Sequence, residues 1–174
     1  DMGISDSLNA IKNQLPAHVE LIAVSKTKPA AMIEEALETG HLAFGENQAQ
    51  EMKAKAEVLP EHVQWHFIGH LQRNKVKYIA PFVTLVHSVD SLKLLLEIEK
   101  HAQKHERTID YLIQINISDE DSKSGMTYDA CKALAALDNF KTLTNVRLRG
   151  LMGIASLTED LDLIRKEFRT LKSF

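Results

Sequence analysis

Apolar positions along this 174-residue chain follow two alternating rhythms. Leu8, Ile11 and Leu15 fall at i, i+3 and i+7, the stripe of an amphipathic helix over 5–15, with Ser5 or Asp6 placed to cap it. Short apolar runs follow at 20–25, 42–45, 63–68, 84–88, 111–117 and 148–154, each of strand length and each closed by a polar turn. Helical periodicity fills the intervals over 30–39, 47–58, 73–79, 91–105 and 128–137, and returns over 160–171 after the last run. Strand followed by helix, repeated along the whole chain, predicts an α/β fold with a parallel sheet. The runs are almost continuously apolar, as strands covered by helices must be. No long linker, low-complexity tract or tandem repeat interrupts them, so 1–174 reads as a single domain.

Two architectures share this pattern, an open doubly wound sheet and a (β/α)8 TIM barrel. The polar residues favour the barrel. Lys26, Glu46-Asn47, Gly69-His70, His87-Ser88-Asp90 and Asn116-Ser118 all stand where a run gives way to its helix. A barrel collects polar groups at the C-terminal ends of many strands, whereas an open sheet gathers them at one switch point. A complete barrel takes about 250 residues, and the pattern here supplies about six of its eight units. Lys172-Ser173-Phe174 lie inside a helical pattern with no closing turn, and the chain opens on Asp1. The expectation is therefore a barrel whose C-terminal strands are missing and whose native start lies upstream.

Composition narrows the partners. Hydrophobic residues at 44% and charged residues at 26% suit a soluble globular domain, and a net charge of −3 gives no general pull toward nucleic acid. The local basic group of Arg73, Lys75 and Lys77 reads as a solvated helix face. The single cysteine, Cys131, allows no internal disulfide, fits a reducing cytoplasmic setting, and reads as a small buried residue. No apolar run approaches the roughly 18 residues needed to span a bilayer, and residues 1–15 lack the pattern of a secretory signal. Eight histidines raise the question of a metal. His101 and His105 are spaced i, i+4 but have no carboxylate motif beside them, and His62 and His66 straddle a strand start, so no metal site is expected. The acidic stretch 118–121 lacks the glycine and closing glutamate of a calcium loop. Nucleotide-binding and serine-hydrolase motifs are absent as well.

The sharpest local feature is the segment 21–29, LIAVSKTKP. A lysine is rare inside a strand, because a buried ammonium must be paired or neutralised. Alternation places Ile22, Val24 and Lys26 on one face, and if that face is the barrel interior, Lys26 points into its mouth. Desolvation there would depress its pKa and make the amine nucleophilic toward an aldehyde. The plainer alternative is that Lys26 and Lys28 open a solvated turn. At 44–47, FGEN, Gly45 removes a side chain where something approaches closely, and Asn47 either presents its amide to a ligand or caps the following helix. In the fifth run, Gln114 and Asn116 share a polar face, directed inward if helices cover the other side. Asn116, nearer the C-terminal end, is the stronger ligand candidate, and an internal hydrogen-bonded pair is the alternative.

The stretches AVSKTKP, FGEN, WHFIGHLQRNK, HSVD, QINISDEDSKSG and RGLMGI, in this order, resemble the pyridoxal phosphate homeostasis (YggS/PROSC) family over about 19–168. The resemblance implies a barrel similar to the N-terminal barrel of alanine racemase. It also implies a pyridoxal 5'-phosphate held as a Schiff base on Lys26, with Asn47 beside the cofactor ring. Asn116 and Met152, at the ends of the fifth and sixth runs, would line the same mouth. The implied role is a carrier or buffer of the cofactor in intracellular homeostasis, acting as a monomer and supplying pyridoxal phosphate-dependent apoenzymes, rather than an enzyme. The rival is a racemase-like enzyme of the same barrel type, which needs an acid–base group on each face of the substrate α-carbon. None of the tyrosines Tyr78, Tyr111 and Tyr128 sits at a strand's C-terminal end. Two later stretches of the family, which supply its phosphate cup and an arginine toward the pyridine nitrogen, do not occur in this sequence.

Overall fold

The structure is a computed structural model that describes residues 3–118 and 124–174. Most of the acidic loop and the SK of QINISDEDSKSG lie outside the described residues. In chain order the elements are α1 (Ile4–Gln14), β1 (Ala23–Val24), α2 (Ala30–Glu38), β2 (Ala43–Glu46), α3 (Ala49–Val58), β3 (Gln64–Phe67), a 3-10 turn (Arg73–Lys75) leading into α4 (Val76–Ile79), β4 (Leu85–Val89), α5 (Leu92–Lys104), β5 (Ile109–Ile115), α6 (Tyr128–Ala136), α7 (Asp138–Lys141), β6 (Val146–Gly153) and α8 (Leu161–Ser173).

The six strands form one sheet in the order β1-β2-β3-β4-β5-β6, every pair parallel. A doubly wound sheet reverses its strand order at a switch point, and this one does not. Parallel crossovers take one hand, so strands laid down in sequence put their connecting helices on the same face of the sheet. That is the winding of a barrel, open here between β1 and β6.

The core lies between the sheet and the helix layer. Phe44, Trp65, Phe67, Val86, Tyr111, Ile113 and Ile115 from the strands are buried with Ile33, Met52, Leu95, Ile98 and Leu134 from the helices. Burying each such side chain contributes about 1.5–3 kcal/mol. The opposite face, which a closed barrel would enclose, is partly open: Val24 is 54% and Ile154 55% exposed. Two register shifts adjust that face. At the one in β6, Tyr111 pairs with Leu148 but Leu112 pairs with Gly150, leaving Arg149 as the extra residue of a bulge. Gly150 adopts φ +153° there. The bulge lets Arg147 and Arg149 both reach Asp110, at 2.9 and 3.4 Å, and puts Met152 opposite Gln114 on the interior face.

Several element limits differ from the sequence expectation. The first strand keeps ladder pairing only at Ala23–Val24, because β1 is an edge strand paired on one side. Gly3, not Ser5 or Asp6, stands at the N-cap of α1, with no side-chain bond. The stretch 73–79 is a 3-10 turn followed by a single α-turn. Helix α7 was invisible to periodicity because four residues cannot repeat a 3.6-residue pattern.

Candidate functional site

Lys26 follows β1 at the C-terminal end of the sheet. Its neighbour Ser25 faces the helices: the hydroxyl donates to the buried Glu46 carboxylate, and the backbone N–H donates to Gly45 O at 2.9 Å. Lys26 itself lies in the turn beyond Val24, the last paired residue of β1, as the solvated-turn alternative expects. Lys26 is exposed, and among the described residues its amine has no hydrogen-bond or ion-pair partner. The burial expected of it is therefore not supplied by the described residues, because the interior face stands open. Thr27 takes φ 63°, a left-handed conformation that a β-branched residue rarely adopts.

A buried polar network fixes this turn from behind. Lys55, on the buried face of α3 with Ala49 and Met52, donates to Ser25 O at 2.7 Å, to the two Glu46 oxygens at 2.9 and 3.1 Å, and to Glu51 Oε2 at 2.7 Å. Glu51 Oε2 also accepts from Thr27 N at 2.7 Å. The Thr27 hydroxyl donates to Lys26 O at 2.6 Å. A buried ion pair is tolerated only when its remaining hydrogen-bonding capacity is satisfied, and this one meets that condition. Burial pushes the Glu46 carboxyl up from its ordinary range, while bonds from Ser25 and Lys55 pull it down less strongly. The hydrogen bond from Lys55 holds the Glu51 carboxyl below its ordinary range, helped by Thr27 N–H. Glu46, grouped by sequence with the strand-end polar residues, thus faces the helices and belongs to this support.

Asn47 follows β2 directly. The pairing of Val24 with Gly45 is followed by the contact of Ser25 with Glu46. Asn47 does not cap α3: Gln48 holds the N-cap position and no side-chain cap bond forms. It packs instead against Gly69, where an added Cβ would lie 2.6 Å from Asn47 Cβ. At Gly45 the close approach is made by Ile68 and Ile22, since a Cβ there would lie 2.9 Å from Ile68 Cδ1 and 3.3 Å from Ile22 Cγ2. One cleft is lined by Asn47, Gln48, Gly69, His70 and Lys75 among others, and an adjoining one by Ile68, Gly69, His70, Gln114, Met152 and Ile154. Gly69 and His70 border both.

Met152 therefore joins Gln114 at the mouth. Asn116 lies just beyond β5, where its Oδ1 accepts from Ser118 N at 3.1 Å and from Ser118 Oγ at 2.9 Å. Of the two amides, Gln114, on β5, lines the cleft; its Nε2 donates to Ser124 O at 3.4 Å. Gly125 (φ +119°) lets the returning chain pass Asn116, since a Cβ there would lie 2.6 Å from Asn116 N.

Sequence reasoning missed two groupings. Lys55 gave one readable signal, a lysine on the same helical stripe as Ala49 and Met52. The other is a pair of histidines in mid-strand: His66 Nδ1 lies 2.9 Å from His87 Nε2. The sequence pattern puts His87 at a strand end, but it sits within β4. Burial pushes both imidazoles down to about 4, with mutual repulsion adding to the shift at His87. No cluster of three or more metal-ligating side chains occurs among the described residues, and no helix among them is long and apolar enough to cross a membrane.

Comparison with known proteins agrees with this geometry. The alanine racemase N-terminal domain family matches residues 4–174. The pyridoxal phosphate homeostasis protein of Vibrio alginolyticus is 39% identical over 161 residues, 90% of this chain and 68% of that protein. The Pseudomonas aeruginosa protein of the same name is 44% identical over 146 residues, 83% of this chain and 63% of its own length. The chain thus spans roughly two thirds of the length of these relatives. Among solved structures, PipY of Synechococcus elongatus is 34% identical and covers 98% of this chain, which covers 79% of it; its form without pyridoxal phosphate superimposes with a TM-score of 0.89, and its form with pyridoxal phosphate bound with 0.85. Alanine racemase of Clostridium difficile, at 13% identity and a TM-score of 0.74, shares the fold. These matches, with a continuous parallel sheet wound in sequence, show that the chain belongs to the pyridoxal phosphate homeostasis proteins, built on the alanine racemase N-terminal barrel.

Proposed function

We propose that the chain binds pyridoxal 5'-phosphate through Lys26 and carries or buffers it within the cell, supplying pyridoxal phosphate-dependent apoenzymes. The observation that carries this reading is the Lys26 amine, exposed and unpartnered among the described residues, just past the end of β1 on a turn held by Lys55 and Glu51. PipY, 34% identical, has been solved with pyridoxal phosphate bound, which supports the same ligand here. The donor set fits an aromatic aldehyde. Lys26 supplies an amine, Asn47 an amide at the adjoining strand end, and Gly45 and Gly69 let Ile68, Ile22 and Asn47 pack where a Cβ would collide. Met152 gives the cleft an apolar wall, and Asn116 completes the mouth from the end of β5. Bound there, the cofactor would supply an aldehyde for reversible condensation with the Lys26 amine. A carrier needs this reversibility, and a competing amine releases the cargo.

A racemase would need a second acid–base group at the mouth. Tyr111 is buried on the helix side, Tyr78 lies on α4 among Lys53, Lys75 and Lys77, and Tyr128 begins α6 against Phe174. We therefore expect no appreciable deuterium exchange at the α-carbon of L-alanine. The main reading is tested by adding pyridoxal phosphate, reducing with borohydride and mapping the label by mass spectrometry. Lys26→Ala should abolish the absorbance of the linked cofactor and leave the fold intact, while Lys28→Ala should leave the link in place. A pyridoxyl group retained on another lysine in folded Lys26→Ala would refute the assignment.

A further inference from the structure

We propose that Glu51 and Lys55 are positioning residues for Lys26, clamping the backbone on both sides of it so that its amine is presented to the mouth. The inference rests on the reading of Lys26 as the cofactor-bearing lysine and extends it to residues on a different element.

The geometry is two-sided. Lys55 Nζ holds the carbonyl of the residue before Lys26, and Glu51 Oε2 holds the N–H of the residue after it, each at 2.7 Å. The two side chains also bond each other at 2.7 Å, so the holds are coupled. Glu46, with no exposed side-chain surface, anchors Lys55 to β2, the strand that pairs with β1. A structural ion pair on α3 would need only Glu46 and Lys55. The reach of Glu51 to Thr27 N–H is what a positioning role adds.

The held conformation is an unfavourable one. Thr27 at φ 63° would relax toward negative φ if released, and such a rotation re-aims the residue before it. Ser25 O also accepts from Lys28 N at 3.1 Å, closing the turn around Lys26. The clamp therefore stores strain at the one place where the direction of an amine matters. Misplacement of a reacting group by about 1 Å costs on the order of a hundredfold in rate.

The test compares wild type with Glu51→Ala, Glu51→Gln and the paired Lys55→Met/Glu46→Gln, the last chosen so that no buried carboxylate is left unpaired. Three quantities are measured in the chain, with folding checked by circular dichroism. They are the ratio of Lys26 to Lys28 labelling by pyridoxal phosphate with borohydride, the same ratio for acetic anhydride, and hydrogen-exchange protection of the Thr27 amide. Lys28 is exposed on the same turn, so a general loss of stability moves both lysines together. Glu51→Ala should lower the Lys26:Lys28 ratio about tenfold or more for both reagents and remove Thr27 protection. Glu51→Gln, whose amide oxygen still accepts from Thr27, should restore much of both. The paired variant should lower the ratio as well. An unchanged ratio in folded Glu51→Ala, with either Thr27 outcome, overturns the proposal. If wild type shows no Lys26 preference with pyridoxal phosphate while the anhydride ratio still falls in Glu51→Ala, the cofactor reading fails and the clamp stands.

Discussion

At the scale of single residues, the site depends on side chains that are absent as much as on those present. Gly69 has Asn47 against the place where its Cβ would be, with Asn47 Cα and O both at 2.9 Å. Gly69→Ala must push Asn47 aside, at about 1–3 kcal/mol for overpacking. We expect a modest fall in thermal midpoint and a larger rise in the rate at which pyridoxal phosphate is lost, read from absorbance. Asn47→Ala should reproduce the second effect without the first. The histidine pair gives a separate expectation. With His66 and His87 both lowered to about 4, the folded chain binds fewer protons than the unfolded chain, whose histidines titrate near 6.5. Stability is therefore full above about pH 6.5 and falls as pH drops toward 4, by a total on the order of a few kcal/mol. Urea unfolding across that window should show the slope, and His66→Gln with His87→Gln should flatten it. Neither arrangement could be read from composition or spacing, because both join residues more than twenty positions apart.

At the scale of elements, carboxylates on helices fasten the loops that position strands. Glu99 of α5 accepts from Thr144 N at 2.9 Å and Asn145 N at 2.8 Å, just before β6. Glu167 of α8 accepts from Ser156 N at 2.9 Å and Ser156 Oγ at 2.7 Å, just after it. The strand that carries Met152 is thus pinned at both ends by a buried acid. Glu99→Ala removes the acceptor of two backbone donors, at exposed Thr144 and half-buried Asn145, each a net loss of about 0.5–1.5 kcal/mol because water can take its place. It should lower the urea midpoint and raise hydrogen exchange at 144–146 before it changes exchange at β2 or β3. Equal exchange throughout would show that Glu99 does not hold β6. Helix periodicity located α5 and α8 well, since each presents a regular apolar stripe. It could not single out Glu99 or Glu167, because an acid on a helix reads as solvated until the partner loop is known.

At the scale of the whole molecule, β1 and β6 each pair on one side only, and Val24 and Ile154 lie exposed on the face a barrel encloses. Unpaired strand edges invite exchange and association. This chain spans 68% of the Vibrio alginolyticus relative and 63% of the Pseudomonas aeruginosa one. A longer chain carrying the relatives' remaining segment should protect the amides of β1 and β6, cover Val24, and hold pyridoxal phosphate more tightly. Exchange and cofactor titration on the two lengths decide this. Equal protection and equal affinity would show that further strands contribute nothing to the site.

Strand-and-helix alternation was determined by the sequence alone, because burial on both sheet faces and on one helix stripe writes distinct periods into local residues. Local order also located Lys26 and Asn47 at strand ends, since both follow directly on apolar runs. Tertiary structure decided what local order cannot carry. The sequential strand order excluded the doubly wound sheet, and the bulge at Arg149-Gly150 set which face Met152 takes. It also brought Lys55 of α3 onto Ser25 O, Glu46 and Glu51. Register and long-range pairing choose the partner of each polar group, and a buried charge is stable only where its partners converge.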